Sequence, residues 1–166
     1  TPVDAVKDKY DADFRRMFTV DEGHYLVGTD AESIQLRVLA HYLKNEAYAK
    51  AIVEGKTEDE TDIHNVNKRA IGLNHITRDH AKTFIYAWIL GAAIPKVASI
   101  LETDKTNASA AVANFMNSID GLHELRQDMV PYDARRGYFI GLDGRPVKCD
   151  SRHKMLAGYL QNGESV

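Results

Sequence analysis

Three side chains suited to binding an anion lie four residues apart in the segment TRDHAKTFIYAWILGA, residues 77–92. An α-helix turns once in about 3.6 residues, so Arg78, Lys82 and Tyr86 fall on one side of a predicted helix. Thr77 is a suitable N-cap for that helix. Two cations near its positive end could bind a phosphate chain. The same spacing is also common on solvated surface helices, so this row, here called the cationic stripe, leaves both interpretations open.

A second candidate is the carboxylate of Asp30. It closes HYLVGTD, residues 24–30, an apolar run rich in strand-forming residues that predicts a strand. Leu36, Leu39 and Leu43 follow at helical spacing and predict a helix with one buried face. An Asp between a strand and a helix is held rigidly and can reach a cleft, although it is also a common helix cap.

Helices dominate the rest of the sequence. Helical spacing of apolar residues extends over four further segments: 58–71, 107–120, 122–130 and 153–166. Thr57 and Glu60 predict a capping box for the first of these. Pro131 either kinks or ends the third. Asp143 and Gly144, between two short apolar runs, predict a hairpin.

The composition is that of an ordinary globular chain of 166 residues, one domain or a piece of a larger protein. The net charge of −3 argues against a uniformly basic nucleic-acid binder but allows a local basic groove. No apolar run is long enough to span a membrane, and the N-terminal sequence lacks a signal-peptide pattern. We therefore expect a cytoplasmic protein with no membrane partner. Cys149 is the single cysteine, so no internal disulfide is possible.

Four ordered segments resemble motifs of one enzyme family. DAESIQLRVLAH closely resembles the first palm motif of the family A DNA polymerases, the group of bacterial DNA polymerase I and its phage relatives. The cationic stripe with Gly91 resembles the fingers motif of that family. DIH precedes this helix as it does in the family, and LDGR followed by LQ resembles the phage-type segment before the last palm motif. The first three segments occupy residues 30–41, 78–91 and 62–64, and the fourth has two parts, residues 142–145 and 160–161.

The resemblance implies a mixed α/β, helix-rich fold, with part of the antiparallel palm sheet and a helical fingers subdomain. Residues 1–56 would be palm with the first metal-binding motif, 57–136 the helical fingers, and 137–166 a returning palm hairpin and helix. The second metal-binding Asp of the family lies in a later palm motif, and no such string follows Gln161. The expectation is therefore an internal fragment that lacks the thumb and the last palm motif and is inactive alone.

The resemblance also implies roles at an incoming deoxynucleoside triphosphate. Residues that match Arg78 and Lys82 grip the phosphates in this family, and Lys82 would also assist the leaving pyrophosphate. The residue that matches Tyr86 lies against the base and sugar. His64 matches a histidine that contacts the triphosphate. Phosphoryl transfer is catalysed mainly by positioning and charge stabilisation, which suits these residue types.

Metal and DNA contacts are implied in the same way. Asp30 and the carbonyl of Ala31 would ligate the two Mg²⁺ ions, whose preferred ligands are oxygen atoms. Gln161 and Arg145 would contact primer-template DNA, although Arg145 is equally well explained as a surface charge of the hairpin. Arg15, in an R-x-x-F string, matches a further family arginine.

Four positions bear on how far the resemblance extends. Gln35 stands where most members have Glu, whose side chain shields the 2′ position of the sugar. Tyr86 is the form associated with ready acceptance of dideoxynucleotides. Leu90 replaces a Tyr that packs near the template base, and Ala87 replaces a Gly. Gln keeps the volume of Glu without its charge, so the resemblance leaves the strength of sugar discrimination open. Fidelity and template positioning do not carry over from the family.

The sequence thus predicts a magnesium-dependent, template-directed DNA polymerase that acts on primer-template DNA and deoxynucleoside triphosphates, with a processivity factor as an open partner. A single-subunit RNA polymerase shares the Asp and the Arg/Lys helix, but the LRVLAH and LDGR strings disfavour it. A non-catalytic helical nucleic-acid-binding relic is the alternative from another class.

Overall fold

The computed structural model describes residues 11–149 and 151–166, which form two compact units. The first unit extends to Glu32, and the second begins at Ser33. Among the described residues, none of the helices combines the length and the apolar character needed to cross a membrane.

The first unit contains one short helix, α1 (Asp11–Arg16), followed by irregular backbone. The strand predicted at 24–30 is wrong. Tyr25, Leu26 and Val27 are 90, 70 and 81% exposed, and no strand among the described residues pairs with this segment. A strand is stabilised by hydrogen bonds and side-chain pairs across a ladder, so strand-forming residues without a partner remain irregular.

The second unit is built mainly of helices. Its elements are α2 (Ile34–Leu43), α3 (Glu46–Val53), α4 (Ile63–Ile71), α5 (Arg78–Ile89), α6 (Ile94–Ile100), α7 (Lys105–Ser118), α8 (Leu122–Glu124), a π-helix (Leu125–Met129), α9 (Val130–Arg136), β1 (Tyr138–Ile140), β2 (Pro146–Lys148) and α10 (Arg152–Glu164). The two strands are antiparallel. The predicted helix-rich α/β class with a small antiparallel sheet is therefore confirmed, whereas the division at residues 56 and 136 stays a prediction.

Aromatic side chains tie the helices into one core. The rings of Phe84 and Trp88 on α5 both meet Phe115 of α7 edge to face, with centroids 5.2 and 5.5 Å apart. Such pairs are stabilising beyond the area that they bury. The buried face predicted for α2 is confirmed, because its three leucines are 0–6% exposed.

The start of α4 differs from the prediction. Its N-cap is Asp62, not a capping box of Thr57 and Glu60. The backbone N–H of Glu60 instead donates to the Thr57 carbonyl, and Glu60 has a φ of 54°. These two residues thus form a turn that precedes the helix. The predicted stop at Gly72 is confirmed, since this residue is the left-handed C-cap with a φ of 75°.

Pro131 does not end the helical path. The backbone N–H of Val130 donates to the Leu125 carbonyl, five residues earlier, which is the π-helical pattern. Pro131 then lies in the first turn of α9. Proline lacks an N–H, and its ring would clash with the carbonyl four residues earlier in a regular α-helix, so a change of hydrogen-bond pattern before it is expected. A π-turn before the proline therefore connects α8 to α9.

The predicted hairpin at Asp143 and Gly144 is confirmed. Phe139 of β1 faces Val147 of β2, and the Gly141 N–H donates to the Arg145 carbonyl at 2.8 Å. Gly144 has a φ of 79°, as a three-residue loop that ends in a left-handed residue requires.

Two glycines with similar dihedral angles allow steric contact to be separated from backbone strain. A Cβ on Gly121 (φ 82°) would lie 2.4 Å from the Leu43 carbonyl oxygen, whereas one on Gly137 (φ 77°) would meet nothing within 4 Å. We expect Gly137→Ala to lower the free energy of unfolding by about 1–2 kcal/mol, the cost of the left-handed conformation. Gly121→Ala should cost a further ~1–3 kcal/mol through overpacking. Urea titrations measure both, and equal losses would contradict the close approach.

Candidate functional site

Helix α5 presents the cationic stripe along one edge. It begins as predicted at Thr77, whose hydroxyl accepts the His80 N–H at 3.3 Å while its own N–H donates to the His80 ring. Arg78 and Tyr86 are half-buried, and Lys82 is exposed. The opposite face supplies the core, with Ala81, Phe84, Ile85, Trp88 and Ile89 buried.

Asp62 anchors the first cation of the stripe. Its Oδ1 accepts from Arg78 Nε at 3.0 Å and lies 2.9 Å from Nη2. The carboxylate side chain is 9% exposed, and the Arg78 side chain is 33% exposed. This ion pair therefore connects the start of α4 to the start of α5 and holds the guanidinium at the surface.

Two further hydrogen-bond donors contact the Asp62 carboxylate. The His64 backbone N–H donates to Oδ1 at 3.0 Å, and Asn65 Nδ2 donates to Oδ2 at 2.5 Å. Burial raises the pKa of Asp62, but hydrogen bonds from Arg78, His64 and Asn65 together lower it by more, so the net pKa lies below its ordinary value. The carboxylate consequently remains charged at neutral pH.

His64 lies beside the stripe with an unsatisfied ring atom. The residue is 5% exposed, and its buried Nδ1 has no hydrogen-bond partner among the described residues. Its ring centroid is 6.4 Å from that of Tyr86. Burial lowers the pKa of His64, and the charges of Arg78 and Lys82 lower it further against the opposing carboxylates Asp62 and Asp79. The imidazole is therefore neutral at pH 7.

Tyr86 connects the stripe to the start of α2. Its hydroxyl is hydrogen-bonded to Ser33, and Gln35 is half-buried in the first turn of α2. Burial raises the pKa of Tyr86, and the charge of Glu164 raises it further, whereas the hydrogen bond with Ser33 lowers it. The structure thus groups Arg78, Lys82, Tyr86 and His64, with Gln35 on the element that Tyr86 contacts.

The predicted metal ligands lie in the first unit. Asp30 and Ala31 are exposed in irregular backbone. A carboxylate and a carbonyl are suitable oxygen ligands for Mg²⁺, but this ion requires about six. Within the part of the chain that the structure describes, no group of three His, Cys, Asp or Glu residues could hold a metal ion. These residues therefore do not make a complete magnesium site.

The predicted DNA contacts lie on other elements. Arg145 is exposed in the hairpin loop and pairs with the Asp143 carboxylate. The Arg145 N–H and this side-chain contact lower the pKa of Asp143. Gln161 is exposed on α10. The side chain of Arg15 lies outside the described part of the chain.

Asp62 was identified from the sequence only as part of the DIH string, and Asn65 and Ser33 were not identified. Asp62 carried a usable signal, because it precedes a helical segment and is a favoured N-cap residue. Its pairing with Arg78 has no local signal, since sixteen residues separate the two.

Comparisons with known proteins give one consistent result. The family model for DNA polymerase family A matches residues 2–158. The DNA-directed DNA polymerases of Enterobacteria phage T3 and Escherichia phage T7 are each 33% identical over 156 residues, which covers 84% of this chain and 21% of the phage protein. The thermostable DNA polymerase I of Thermus aquaticus is 28% identical over 134 residues, which covers 79% of this chain and 16% of that protein.

A solved structure shows the same fold. The POL domain of Pol1 from M. smegmatis, in complex with DNA primer-template and dNTP, superposes with a TM-score of 0.65 at 20% identity. The match covers 81% of this chain and 26% of that chain. The present chain spans about a fifth of the length of the phage relatives. By the family match over most of its length, the chain belongs to DNA polymerase family A.

Proposed function

We propose that the full-length gene product containing this chain carries out template-directed DNA synthesis, adding deoxynucleotides to a primer 3′ end. The observation that supports this best is the cationic stripe, with Arg78 fixed by Asp62 beside the unsatisfied ring of His64. Membership of DNA polymerase family A favours this activity over the RNA polymerase alternative. The proposed substrates are primer-template DNA and deoxynucleoside triphosphates.

Arg78 and Lys82 would bind the triphosphate. Asp62 contacts Nε and Nη2 of Arg78, and no contact is described for Nη1. This nitrogen can therefore donate to a phosphate oxygen while the ion pair persists. Lys82 is exposed and lies one turn further along α5, where its ammonium can stabilise the negative charge that develops on the leaving pyrophosphate.

Asp62 would act as a positioning residue. A free arginine side chain loses rotamer freedom when it binds a ligand, and this loss weakens binding. The pair with Asp62 restricts Arg78 before the nucleotide arrives. Because Asp62 also accepts from His64 and Asn65, it is itself held in place. We infer that this network reduces the entropic cost of triphosphate binding.

Tyr86, His64 and Gln35 would make further contacts with the nucleotide. The half-buried Tyr86 ring can pack against the base and sugar. The neutral His64 ring can donate one hydrogen bond to a phosphate oxygen. Gln35 has nearly the volume of Glu without its charge, so the proposed exclusion of ribonucleotides depends on shape.

The metal and DNA contacts extend the proposal to the full-length protein. Magnesium dependence is proposed, with Asp30 and the Ala31 carbonyl as ligands and the others from outside the described residues. The 166-residue chain alone would then be inactive. Arg145 and Gln161 are proposed to contact the duplex. A processivity factor and action in the cytoplasm of a bacterial or phage-infected cell stay predictions.

Lys82→Ala in the full-length protein tests the proposed function in a primer-extension assay. We expect at least a ~10-fold loss of kcat/KM for deoxynucleotides with the affinity for primer-template unchanged, because about 1.4 kcal/mol of charge stabilisation is lost in the transition state. Lys96→Ala, at an exposed lysine of α6, is the matched control. Equal losses of nucleotide use and duplex affinity would show that the stripe binds DNA instead. A wild-type protein that extends no primer would refute the proposed function.

The lowered pKa of Asp62 makes its contribution to stability depend on pH. A carboxylate whose pKa is lower in the folded than in the unfolded state stabilises the fold at pH values above its unfolded-state pKa of about 3.9. This stabilisation is lost as the pH falls through the folded-state pKa. We expect Asp62→Asn to lower the free energy of unfolding by about 1.5–3 kcal/mol at pH 7. Urea titrations from pH 7 to pH 3 should show the difference from wild type shrinking below about pH 4.

The exposed Asp59 provides the control for this titration. Asp59→Asn should differ from wild type by less than about 0.5 kcal/mol, as surface substitutions usually do. A difference between wild type and Asp62→Asn that stays constant down to pH 3 would contradict the charged network.

A further inference from the structure

The first turn of α5 is closed by a histidine at a position that glutamate or glutamine usually occupies. In a capping box, the N-cap hydroxyl accepts the backbone N–H three residues later, and the side chain of that later residue accepts the N-cap N–H. Here the N-cap is Thr77 and the later residue is His80, whose Nδ1 accepts the Thr77 N–H at 3.0 Å. The start of α5 therefore depends on an imidazole, a group that gains a proton near neutral pH.

The contacts of His80 determine which of its two ring nitrogens carries the proton. Nδ1 accepts from Thr77, so it must be unprotonated in this arrangement. The proton of the neutral ring then lies on Nε2, which is 3.7 Å from a carboxylate oxygen of Glu102. A carboxylate beside Nε2 favours this tautomer. The capping box therefore requires the neutral form of His80.

Two neighbouring segments each bring one titratable group to this end of α5. Glu102 follows α6, and its side chain is 69% exposed, so its attraction for a protonated His80 is weakened by solvent. His75 precedes α5, and its Nε2 lies 2.8 Å from the carbonyl oxygen of Leu101, the residue before Glu102. Neither group provides a second acceptor for the Thr77 N–H.

The charges on α5 itself oppose protonation of His80 more than they favour it. Asp79 is the one acidic residue of the first turn, and the cations Arg78 and Lys82 lie on either side of His80 in the sequence. A protonated imidazole would also lie at the positive end of the helix dipole. Protonation therefore removes the acceptor of the Thr77 N–H and adds an unfavourable charge.

We propose that His80 is a positioning residue for nucleotide binding, which in its neutral form closes the capping box and thereby holds Arg78 in the cationic stripe. This inference rests on the proposed function, in which Arg78 binds the triphosphate. Arg78 is the first residue of α5 and lies between the two residues of the box. The first turn of a helix frays readily because its N–H groups lack intrahelical acceptors. The box restricts the backbone from which the guanidinium projects.

The capping box and the ion pair with Asp62 restrain Arg78 at its two ends. Asp62 Oδ1 holds the guanidinium, at 3.0 Å from Nε and 2.9 Å from Nη2. The box holds the backbone of the same residue through Thr77 and His80. When the box opens, the ion pair alone remains, and binding of a ligand must then order the backbone as well.

A direct contact between His80 and the triphosphate would have the opposite pH dependence. Protonation would add a positive charge next to the phosphates, so binding would become stronger as the pH falls. A positioning residue that acts through the box loses its hydrogen bond on protonation, so binding becomes weaker. The sign of the pH dependence therefore separates the two roles.

The dissociation constant of dTTP from a complex of the full-length protein with primer-template DNA tests the proposal. The template base is adenine, and the primer ends in a dideoxynucleotide so that no nucleotide is added. At pH 8, His80→Ala should weaken dTTP binding by about fivefold, the size expected from the loss of a helix cap. His80→Gln should stay within about twofold of wild type, because glutamine can accept the Thr77 N–H.

The same titration from pH 8 to pH 5.5 compares wild type with His80→Gln. Wild-type affinity should fall by about threefold relative to His80→Gln, because the histidine box opens on protonation and the glutamine box does not. Protonation of dTTP and of His64 occurs in both proteins, so it cancels in this ratio. His123→Gln, at an exposed histidine of α8, is the matched control and should follow wild type at every pH.

Equal pH profiles for wild type and His80→Gln would overturn the proposal, and so would a dTTP affinity of His80→Ala equal to that of wild type at pH 8. A His80→Gln variant as weak as His80→Ala would also overturn it, because the box would not be the cause. Stronger binding by wild type than by His80→Gln at low pH would indicate a direct phosphate contact instead. Primer extension by wild type shows whether the proposed function holds when the role of His80 is refuted.

Discussion

The ion pair between Asp62 and Arg78 is the interaction on which the candidate site depends. It joins the N-cap of α4 to the first residue of α5, and the same carboxylate binds Asn65. One group therefore fixes the start of α4, the direction of Arg78 and the position of His64. A buried carboxylate is stable only when its acceptor positions are filled, so these functions are physically coupled. The loss of any one donor weakens the arrangement of the others.

Helix α5 contributes to two basic regions that differ in how their cations are paired. Along one edge it carries the cationic stripe, in which each cation is paired with Asp62 or exposed to solvent. At its C-terminal end Trp88 contacts Arg126, a cation without a described acceptor. Gly91 follows in the left-handed conformation, and a Cβ there would approach the His153 carbonyl oxygen to 3.1 Å. The end of α5 and the start of α10 can therefore meet closely.

Local features were predictable from the sequence, and features that depend on distant partners were not. The start of α5 at Thr77, the buried face of α2 and the hairpin at Gly144 follow from cap chemistry, periodicity and turn preference. The segment 24–30 has strand propensity, but propensity does not supply the neighbouring strand that a ladder requires. Thr57 and Glu60 have the spacing of a capping box, yet the N-cap of α4 is Asp62. Asp62 also binds Arg78, a tertiary contact that a local stretch of sequence does not reveal.

A double-mutant cycle on nucleotide use tests the central claim most directly. Asp62→Asn, Arg78→Ala and the double variant are compared with wild type in the full-length protein, and KM for deoxynucleotides is measured at saturating primer-template. If Asp62 acts by positioning Arg78, Asp62→Asn raises KM in the wild-type background and leaves KM unchanged in the Arg78→Ala background. The coupling free energy between the two substitutions would then be at least about 1 kcal/mol. Equal effects of Asp62→Asn in both backgrounds would contradict the account, because Asp62 would then act without Arg78.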